Sequence, residues 1–204
     1  MPDFVPYTFD SIACRAEVED LRKLLEENEE ITESIFHEFF VSREHLRALV
    51  GLYTSSFQSA DRIAWEYPIF GDFRCDFACG DSTNGSYTFV EYEDASPNSI
   101  FVKQGARATK AWANRFDAGY SQIIDWFYKL QVMTDTPDME ARFFRRAIRY
   151  SGVLVIGRDR YLSPGERLRF QWRQDHVVVN SKHVTCVTYD QFLADLDTRL
   201  KRFE

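Results

Sequence analysis

Apolar residues recur at helical spacing along much of the chain. Ile12, Val18 and Leu21 belong to one such stripe behind a possible Ser11 cap, and a broader stripe between about residues 30 and 50 is wide enough to lie on a sheet. The pattern predicts helices over residues 11–28, 30–50, 117–131, 137–150, 163–177 and from Tyr189 to near Arg202.

Shorter runs rich in β-branched and aromatic residues predict strands between these helices. The best defined is a hairpin, in which Cys75–Cys79 and Tyr87–Glu93 flank a polar turn. Further strands are predicted over residues 64–70, 100–103, 153–157 and 184–188, and Pro68 restricts the first of these to an edge or an end of a sheet.

Strands alternate with helices in the second half of the chain, which predicts an α/β (α+β) fold with a central sheet flanked by helices. With 204 residues, of which 45% are apolar, the chain is long enough to bury one good core. We therefore expect one domain over residues 30–204, preceded by an N-terminal helical extension over residues 1–29.

Strand periodicity assigns the side chains of the hairpin to faces. One face of its first strand is expected to carry Cys75, Phe77 and Cys79. Asp76 then points to the opposite face, while Glu91 and Glu93 point the same way as each other. Only the pairing register decides whether Asp76 joins the two glutamates.

The charge of the chain is unevenly distributed. Its net charge of −7 argues against a protein that coats nucleic acid indiscriminately. Residues 1–100 carry 7 basic and 20 acidic side chains, whereas residues 101–204 carry 18 basic and 12 acidic ones. This asymmetry is compatible with a basic groove on an acidic body, and equally with solvated helix faces of unlike composition.

Several classes of protein are disfavoured. The four cysteines follow no zinc-ribbon or secreted-scaffold spacing, and the first residues lack a signal-peptide pattern, so we expect a cytoplasmic protein. The apolar runs are too short to span a membrane. The sequence contains no glycine-rich phosphate loop, so a nucleotide cofactor is not expected. The four histidines are expected to be structural or surface residues, and Trp126 and Trp172 to be packing residues.

The acidic residues of the hairpin are typical of phosphodiester chemistry. Mg²⁺ (or Mn²⁺) prefers oxygen ligands and is commonly held by one or two carboxylates, which Asp76 and Glu91 would supply. A nearby lysine would stabilise charge on the phosphate. Scattered acids on a surface hairpin are the simpler alternative, although acids that follow an interior-type strand are costly unless paired or bound to a metal.

The order of these segments resembles the nuclease domain of the Shedu family, a branch of the PD-(D/E)-x-K superfamily. The similar segments are Asp76-Phe77, Phe89 to Glu93, Ser99 to Lys103, Ser121 to Trp126, Gly152 to Arg158 and Val187 to Leu193, and the resemblance covers about residues 30–200. It implies a restriction-endonuclease-like core with a mixed central β-sheet, Mg²⁺-dependent cleavage of DNA, a role in bacterial anti-phage defence, and assembly as a homo-oligomer.

The resemblance also implies roles for individual residues. Asp76 and Glu91 would bind the metal, Glu33 would be the acid from the first core helix, with Glu38 as the alternative, and Gln122 would lie beside the site. Glu93 stands where the superfamily usually has lysine, and Lys103 occupies the place of a migrated lysine. A domain whose lysine does not reach the site would be a degenerate nuclease.

Four basic residues on the predicted helix after Pro137 are candidates for contacts with DNA phosphates, or else form a solvated surface: Arg142, Arg145, Arg146 and Arg149. Two other functions compete with the endonuclease. One is a non-catalytic module that binds or senses nucleic acid, and the other is a protein-interaction domain, which the acidic composition favours.

Overall fold

The computed structural model describes residues 3–201, which fold into helices packed on both faces of a mixed sheet. The helices within this range are α1 (Ser11–Glu27), α2 (Glu33–Val41), α3 (Glu44–Ala48), α4 (Asn114–Val132), α5 (Pro137–Phe143), α6 (Pro164–His176) and α7 (Tyr189–Leu200). The strands are β1 (Val5–Pro6), β2 (Arg62–Ile69), β3 (Phe73–Asp81), β4 (Ser86–Tyr92), β5 (Phe101–Val102), β6 (Ala111–Trp112), β7 (Arg149–Val155), β8 (Val178–Val179) and β9 (Lys182–Val187).

Within the described chain, seven strands form the central sheet in the order β1-β2-β3-β4-β7-β9-β8. Strands β2, β3 and β4 pair antiparallel, whereas β4, β7 and β9 pair parallel. Strands β5 and β6 form a separate antiparallel ribbon that precedes α4. The predicted α/β (α+β) class with a mixed central sheet flanked by helices is confirmed.

Buried apolar side chains cover the sheet on both faces. On one face, α1, α2, α3 and α7 pack in a cluster that includes Leu21, Phe40 and Leu196. On the other face, α4, α5 and α6 contribute Trp126, Phe143 and Phe170 to a second cluster. Trp126 is fully buried, as predicted. The four cysteines are buried and unpaired.

The predicted helix over residues 30–50 is wrong as a single element. It divides into α2, α3 and a 3-10 segment (Leu49–Tyr53), because Arg43 adopts a non-helical backbone with φ −121° and ψ 69°. The Arg43 side chain donates to the carbonyl of Phe39 at 2.8 Å, which satisfies the end of α2. In α1 the cap is Asp10 rather than Ser11, since the Asp10 carboxylate accepts from the backbone N–H of Ile12.

The basic helix over residues 137–150 is also wrong in its second half. Its start is confirmed, with Thr136 as the cap, but α5 ends at Phe143 because Phe144 is left-handed at φ 56°. Arg149 instead begins β7, where its N–H donates to the carbonyl of Gly85. Parallel pairing with β4 therefore overrides the local helical pattern. The end of the last helix, predicted near Arg202, lies outside the described residues.

Strands β2 and β3 switch faces at Glu66 and Asp76. Both residues are missing from the otherwise continuous β2–β3 register, and Glu66 has a left-handed φ of 46°. Cys75 therefore packs with α4, whereas Phe77 and Cys79 pack on the opposite face of the sheet. The prediction that the three side chains share a face is wrong, because this local twist interrupts the alternation of the strand.

None of the described helices is long and apolar enough to cross a membrane.

Helix α4 crosses β7 closely because position 152 is a glycine. A Cβ atom at Gly152 would overlap Cγ2 of Ile123 and would lie 3.1 Å from the ring of Phe127. Gly152→Ala is therefore expected to lower the free energy of unfolding by about 1–3 kcal/mol, as measured by urea denaturation. Gly165→Ala is the matched control, because nothing lies within 4 Å of its Cβ position. Equal effects of both substitutions would contradict the close crossing.

Candidate active site

The first two acids come together at the twist of the central hairpin. The register of β3 and β4 pairs Phe77 with Val90, and its continuation sets Asp76 opposite Glu91. In place of a backbone pair, Oδ2 of Asp76 accepts a hydrogen bond from the N–H of Tyr92 at 2.8 Å. The sequence left this register open, and the structure places Asp76 and Glu91 side by side.

The Glu91 carboxylate has an unsatisfied atom. Its Oε2 is buried and has no hydrogen-bond partner within residues 3–201. Gln122 of α4 lies close enough to favour the ionised form of Glu91 by hydrogen bonding, and its Nε2 also donates to the carbonyl of Arg74 at 3.3 Å. A buried oxygen without a donor is costly, which makes this atom a candidate ligand for a cation.

Burial and like charge raise the pKa values of both acids. For Asp76, burial raises the pKa, the Tyr92 N–H lowers it, and the negative charge of Glu33 raises it further. For Glu91, burial is again the main cause of the raised pKa, followed by the charge of Asp76 and then that of Glu93. A bound cation would relieve this repulsion.

Arg115, in the first turn of α4, joins three further acids. Its Nη1 lies 2.6 Å from Oε2 of Glu93 and 2.8 Å from Oε2 of Glu33, and its Nε lies 3.1 Å from Oδ2 of Asp94. Burial raises the pKa of Glu93 to about 7, although Arg115 opposes the shift. The hydrogen bond with Glu93 raises the pKa of Arg115.

The start of α4 reaches these acids because position 119 is a glycine. A Cβ atom there would lie 2.9 Å from Cδ1 of Leu154 and 3.3 Å from Oε1 of Glu93. From the other face of the sheet, the hydroxyl of Tyr189 donates to the carbonyl of Glu93 at 2.7 Å. Glu93 is thus fixed by groups on both sides of the sheet.

One known protein family matches most of this chain. A family model described as Shedu protein SduA, C-terminal, matches residues 16–193. The chain belongs to this Shedu family. Comparison with curated proteins gives no match. The family resemblance read from the sequence is therefore confirmed, and membership suggests a defence-related role for this Shedu domain.

In this Shedu domain, Glu33 and Glu38 occupy different surroundings. Glu33 lies in the first turn of α2 and reaches Arg115, and its charge raises the pKa of both Asp76 and Glu91. Glu38 is exposed and forms no ion pair with Arg115 or another cation within the described chain. Of the two helix acids that the sequence offered, the structure brings Glu33 to the site.

Lys103 lies in the loop between β5 and β6 rather than in the central sheet. The expectation of a strand over residues 100–103 is confirmed for Phe101 and Val102, which pair with β6. The Lys103 side chain is exposed and forms no ion pair with any acid in residues 3–201. Its role in the site stays a prediction.

Arg115 is the residue that sequence reasoning missed. A cation in the first turn of a helix is unfavourable for the helix dipole, so its presence there is a signal that an acid lies nearby. His37 is a partly exposed residue, as expected for the histidines. Its Nε2 lies 3.4 Å from Oε1 of Glu66, and its positive charge would lower the pKa of Asp76.

None of the four arginines after Pro137 forms an ion pair with the acids of the site among residues 3–201. Arg149 pairs with Ser86 at the start of β4, about 17 Å along the strand from Glu91 at 3.3 Å per residue. Arg142 and Arg145 donate to the carbonyls of Pro68 and Thr83, and Arg146 pairs with Glu140. The structure brings together Asp76, Glu91, Glu93, Gln122 and Glu33, whereas Arg145 and Arg149 lie at the other end of the hairpin, beside the β3–β4 turn.

No group of three or more Asp, Glu, His or Cys side chains within residues 3–201 is arranged to hold a metal ion. Glu33 and Glu93 bind Arg115 instead. Asp76 and Glu91 remain as a pair of carboxylates, which is a ligand number that Mg²⁺ accepts when waters and substrate phosphate complete its shell.

Glu91→Gln is expected to stabilise the metal-free protein increasingly as the pH rises. Because burial raises the folded-state pKa of Glu91, its contribution to stability is fully present below the unfolded-state pKa and is lost as the pH rises toward the folded-state value. The advantage of the variant should grow by up to about 1.4 kcal/mol per pH unit above about pH 5, as measured by urea denaturation in EDTA. Glu38→Gln, an exposed control, should show no such trend, and a similar trend in both would contradict the burial of Glu91.

Arg115→Gln is expected to lower the free energy of unfolding by about 1–3 kcal/mol, because it leaves the buried Glu93 without its cation. Adding Glu93→Gln should recover most of the lost stability, and a double-mutant cycle measures this coupling directly. Arg74→Gln is the matched control, since it breaks an exposed pair with Glu66 and should cost less than about 0.5 kcal/mol. Additive effects of the Arg115 and Glu93 substitutions would show that the pair is not coupled.

Proposed function

We propose that this Shedu domain is a metal-dependent DNA endonuclease that acts in bacterial anti-phage defence. Family membership supports the biological role. The observation that carries the chemistry is a buried Glu91 oxygen that has no partner in the described chain, in a carboxyl group whose pKa is raised by the nearby charge of Asp76. The pKa values of these two neighbouring acids are raised, and a hard cation between them would stabilise their ionised forms.

Mg²⁺ or Mn²⁺ would be held by Asp76 and Glu91, and Glu33 would become a further ligand only if its carboxylate moved away from Arg115. The unpartnered Oε2 of Glu91 and the all-oxygen donor set fit such an ion. When bound, the ion would lower the pKa of the attacking water and stabilise charge on the scissile phosphate.

The residues of the chain have complementary roles in this proposal. The Tyr92 N–H fixes one oxygen of Asp76, and Gln122 orients Glu91 or a water beside it. Arg115 positions Glu33 and Glu93. Lys103 is the candidate to stabilise charge at the phosphate, and its exposed loop leaves the side chain free to approach DNA.

DNA is the proposed partner, and Arg142, Arg145, Arg146 and Arg149 would contact its backbone, with Arg145 and Arg149 at the opposite end of β4 from the acids. Assembly as a homo-oligomer is proposed from the family resemblance, and a cytoplasmic location is proposed from the cysteine spacing and the first residues of the sequence. A second copy would extend the basic surface that one chain presents.

A degenerate module that binds nucleic acid or a protein without cleaving is the second candidate. Two observations favour it. Glu93 replaces the usual lysine, and Glu33 and Glu93 are both ion-paired with Arg115, which makes them less available to a metal. A fold of this kind could retain its shape and its binding surface while the chemistry is lost.

Cleavage of supercoiled plasmid in the presence of Mg²⁺ or Mn²⁺ tests the proposal. Asp76→Asn and Glu91→Gln should each slow cleavage by about 100-fold or more, which corresponds to about 3 kcal/mol of transition-state stabilisation. Lys103→Ala should also slow it by about 100-fold, as expected for loss of a charge-stabilising group.

Glu38→Gln and Lys23→Ala are the matched controls, because both side chains are exposed and lie outside the acid cluster. Retardation of plasmid without cutting would support the degenerate module. Absence of both cutting and binding would overturn each nucleic-acid assignment and favour a protein-interaction domain. Cleavage that survives Asp76→Asn would place the chemistry elsewhere.

A further inference from the structure

A groove runs along α6 and is separate from the acid cluster. Three adjoining clefts form it, and they share Arg169 as a common wall. The cleft nearest the C-terminal end of α6 has a volume of about 410 Å³ and lies between Trp112 and Trp172. The other two lie between α6 and the loop that connects β5 to β6. We refer to the three clefts together as the α6 groove.

The α6 groove is basic although the protein is acidic. Its charged lining consists of Arg107, Lys110, Arg169, Arg173 and Glu166. Glu166 is paired with Lys110 at 3.1 Å, and the nearby Asp117 is paired with Arg173 at 3.0 Å. The net charge of the chain is −7, so this lining is a basic groove on an acidic protein. Such a groove is compatible with the uneven charge distribution along the sequence.

Aromatic rings lie between these cations. Trp112 has the guanidinium groups of Arg169 and Arg173 over its ring, at 5.4 Å and 4.7 Å from the centroid. Trp172 is 60% exposed, and the His176 ring stacks on it with a centroid separation of 4.8 Å. Trp172 therefore does not serve as a core residue, contrary to the packing role expected from its helical position.

An exposed tryptophan beside arginines on a concave surface is suited to unpaired nucleic acid. Bases stack on aromatic faces when they are not paired, while Lys and Arg follow the phosphates. In a duplex, the base faces are covered by neighbouring bases, so they are not available to stack on the tryptophan ring. The chemistry of the groove thus distinguishes a single strand from a duplex.

The α6 groove is linked to the acid cluster through the residues at the start of α4. Trp112 precedes Arg115 by three residues, and its ring stacks on Phe116 of α4 with a centroid separation of 4.7 Å. Arg115 in turn contacts Glu93 and Glu33. The start of α4 therefore connects one wall of the groove with the acid cluster.

We propose that the α6 groove binds an unpaired DNA strand beside the acid cluster, with Trp172 stacking on a base and Arg107 and Lys110 contacting phosphates. This inference rests on the proposed function, because it specifies the form of DNA that the domain engages. Trp172 supplies affinity through its ring, and Arg107 supplies it through charge.

Fluorescence anisotropy of labelled oligo-dT, compared with a mixed-sequence duplex of equal length, tests the proposal. The full chain is measured in EDTA, so that binding is separated from any cleavage. The parent protein should bind the single strand more tightly than the duplex. Trp172→Ala should weaken single-strand binding by about 5- to 100-fold, and Trp172→Phe should retain most of it.

Salt titrations separate the two contributions. Arg107→Gln should reduce the slope of log affinity against log salt by about 0.7, whereas Trp172→Ala should leave that slope unchanged. A merely structural role of Trp172 would not produce this separation. Leu168→Ala, at a side chain of the same helix that is 70% exposed, and Tyr128→Ala, on α4, are the matched controls and should bind like the parent.

Equal single-strand affinity of the parent and Trp172→Ala would overturn the proposal, as would tighter binding to the duplex than to the single strand. A protein that binds oligo-dT through Trp172 but cuts no plasmid would retain this inference and lose the endonuclease. A protein that cuts plasmid in a manner dependent on Asp76 but binds no single strand would do the reverse. The two failures are therefore distinguishable.

Discussion

Burial of two neighbouring carboxylates is the constraint on which the site depends. Asp76 and Glu91 lie side by side next to the hydrophobic core, where low polarity and mutual repulsion disfavour their ionised forms. The surrounding chain offsets only part of this cost. Asp76 receives the N–H of Tyr92, whereas the buried oxygen of Glu91 has no donor in the described residues. Such an arrangement weakens the protein unless a cation is bound, and it is typical of sites where function opposes stability.

The sheet positions these acids through a change in its own geometry. Antiparallel pairing of β3 with β4 gives way to parallel pairing of β4 with β7 on the other side, and the twist at Glu66 and Asp76 turns the acid inward at that place. Helix α4 then approaches closely because of Gly119 and Gly152. Its first turn delivers Arg115 to the acids, and the ribbon just before it begins the α6 groove. One helix start thus connects the candidate chemistry with a surface suited to binding a strand.

Sequence reasoning succeeded where the determining interactions are local. The helix starts near residues 137 and 163 and the β3–β4 hairpin depend on residues only a few positions apart, and each is confirmed. Sequence reasoning failed where pairing between strands that are distant in sequence competes with a local helical preference. The arginines after Pro137 fit a helical pattern, yet Arg149 belongs to β7 because β4 offers a full row of backbone partners.

The sequence by itself determined the class of fold, the family and the identity of the central acids, because hydrophobic periodicity and motif spacing are properties of short segments. Only the tertiary structure decided that Asp76 faces Glu91, that Glu33 rather than Glu38 reaches them, and that Arg115 lies among the acids. These contacts join residues that are 15 to 82 positions apart. Strand register and helix packing set such contacts, and both are properties of the whole core rather than of any one segment.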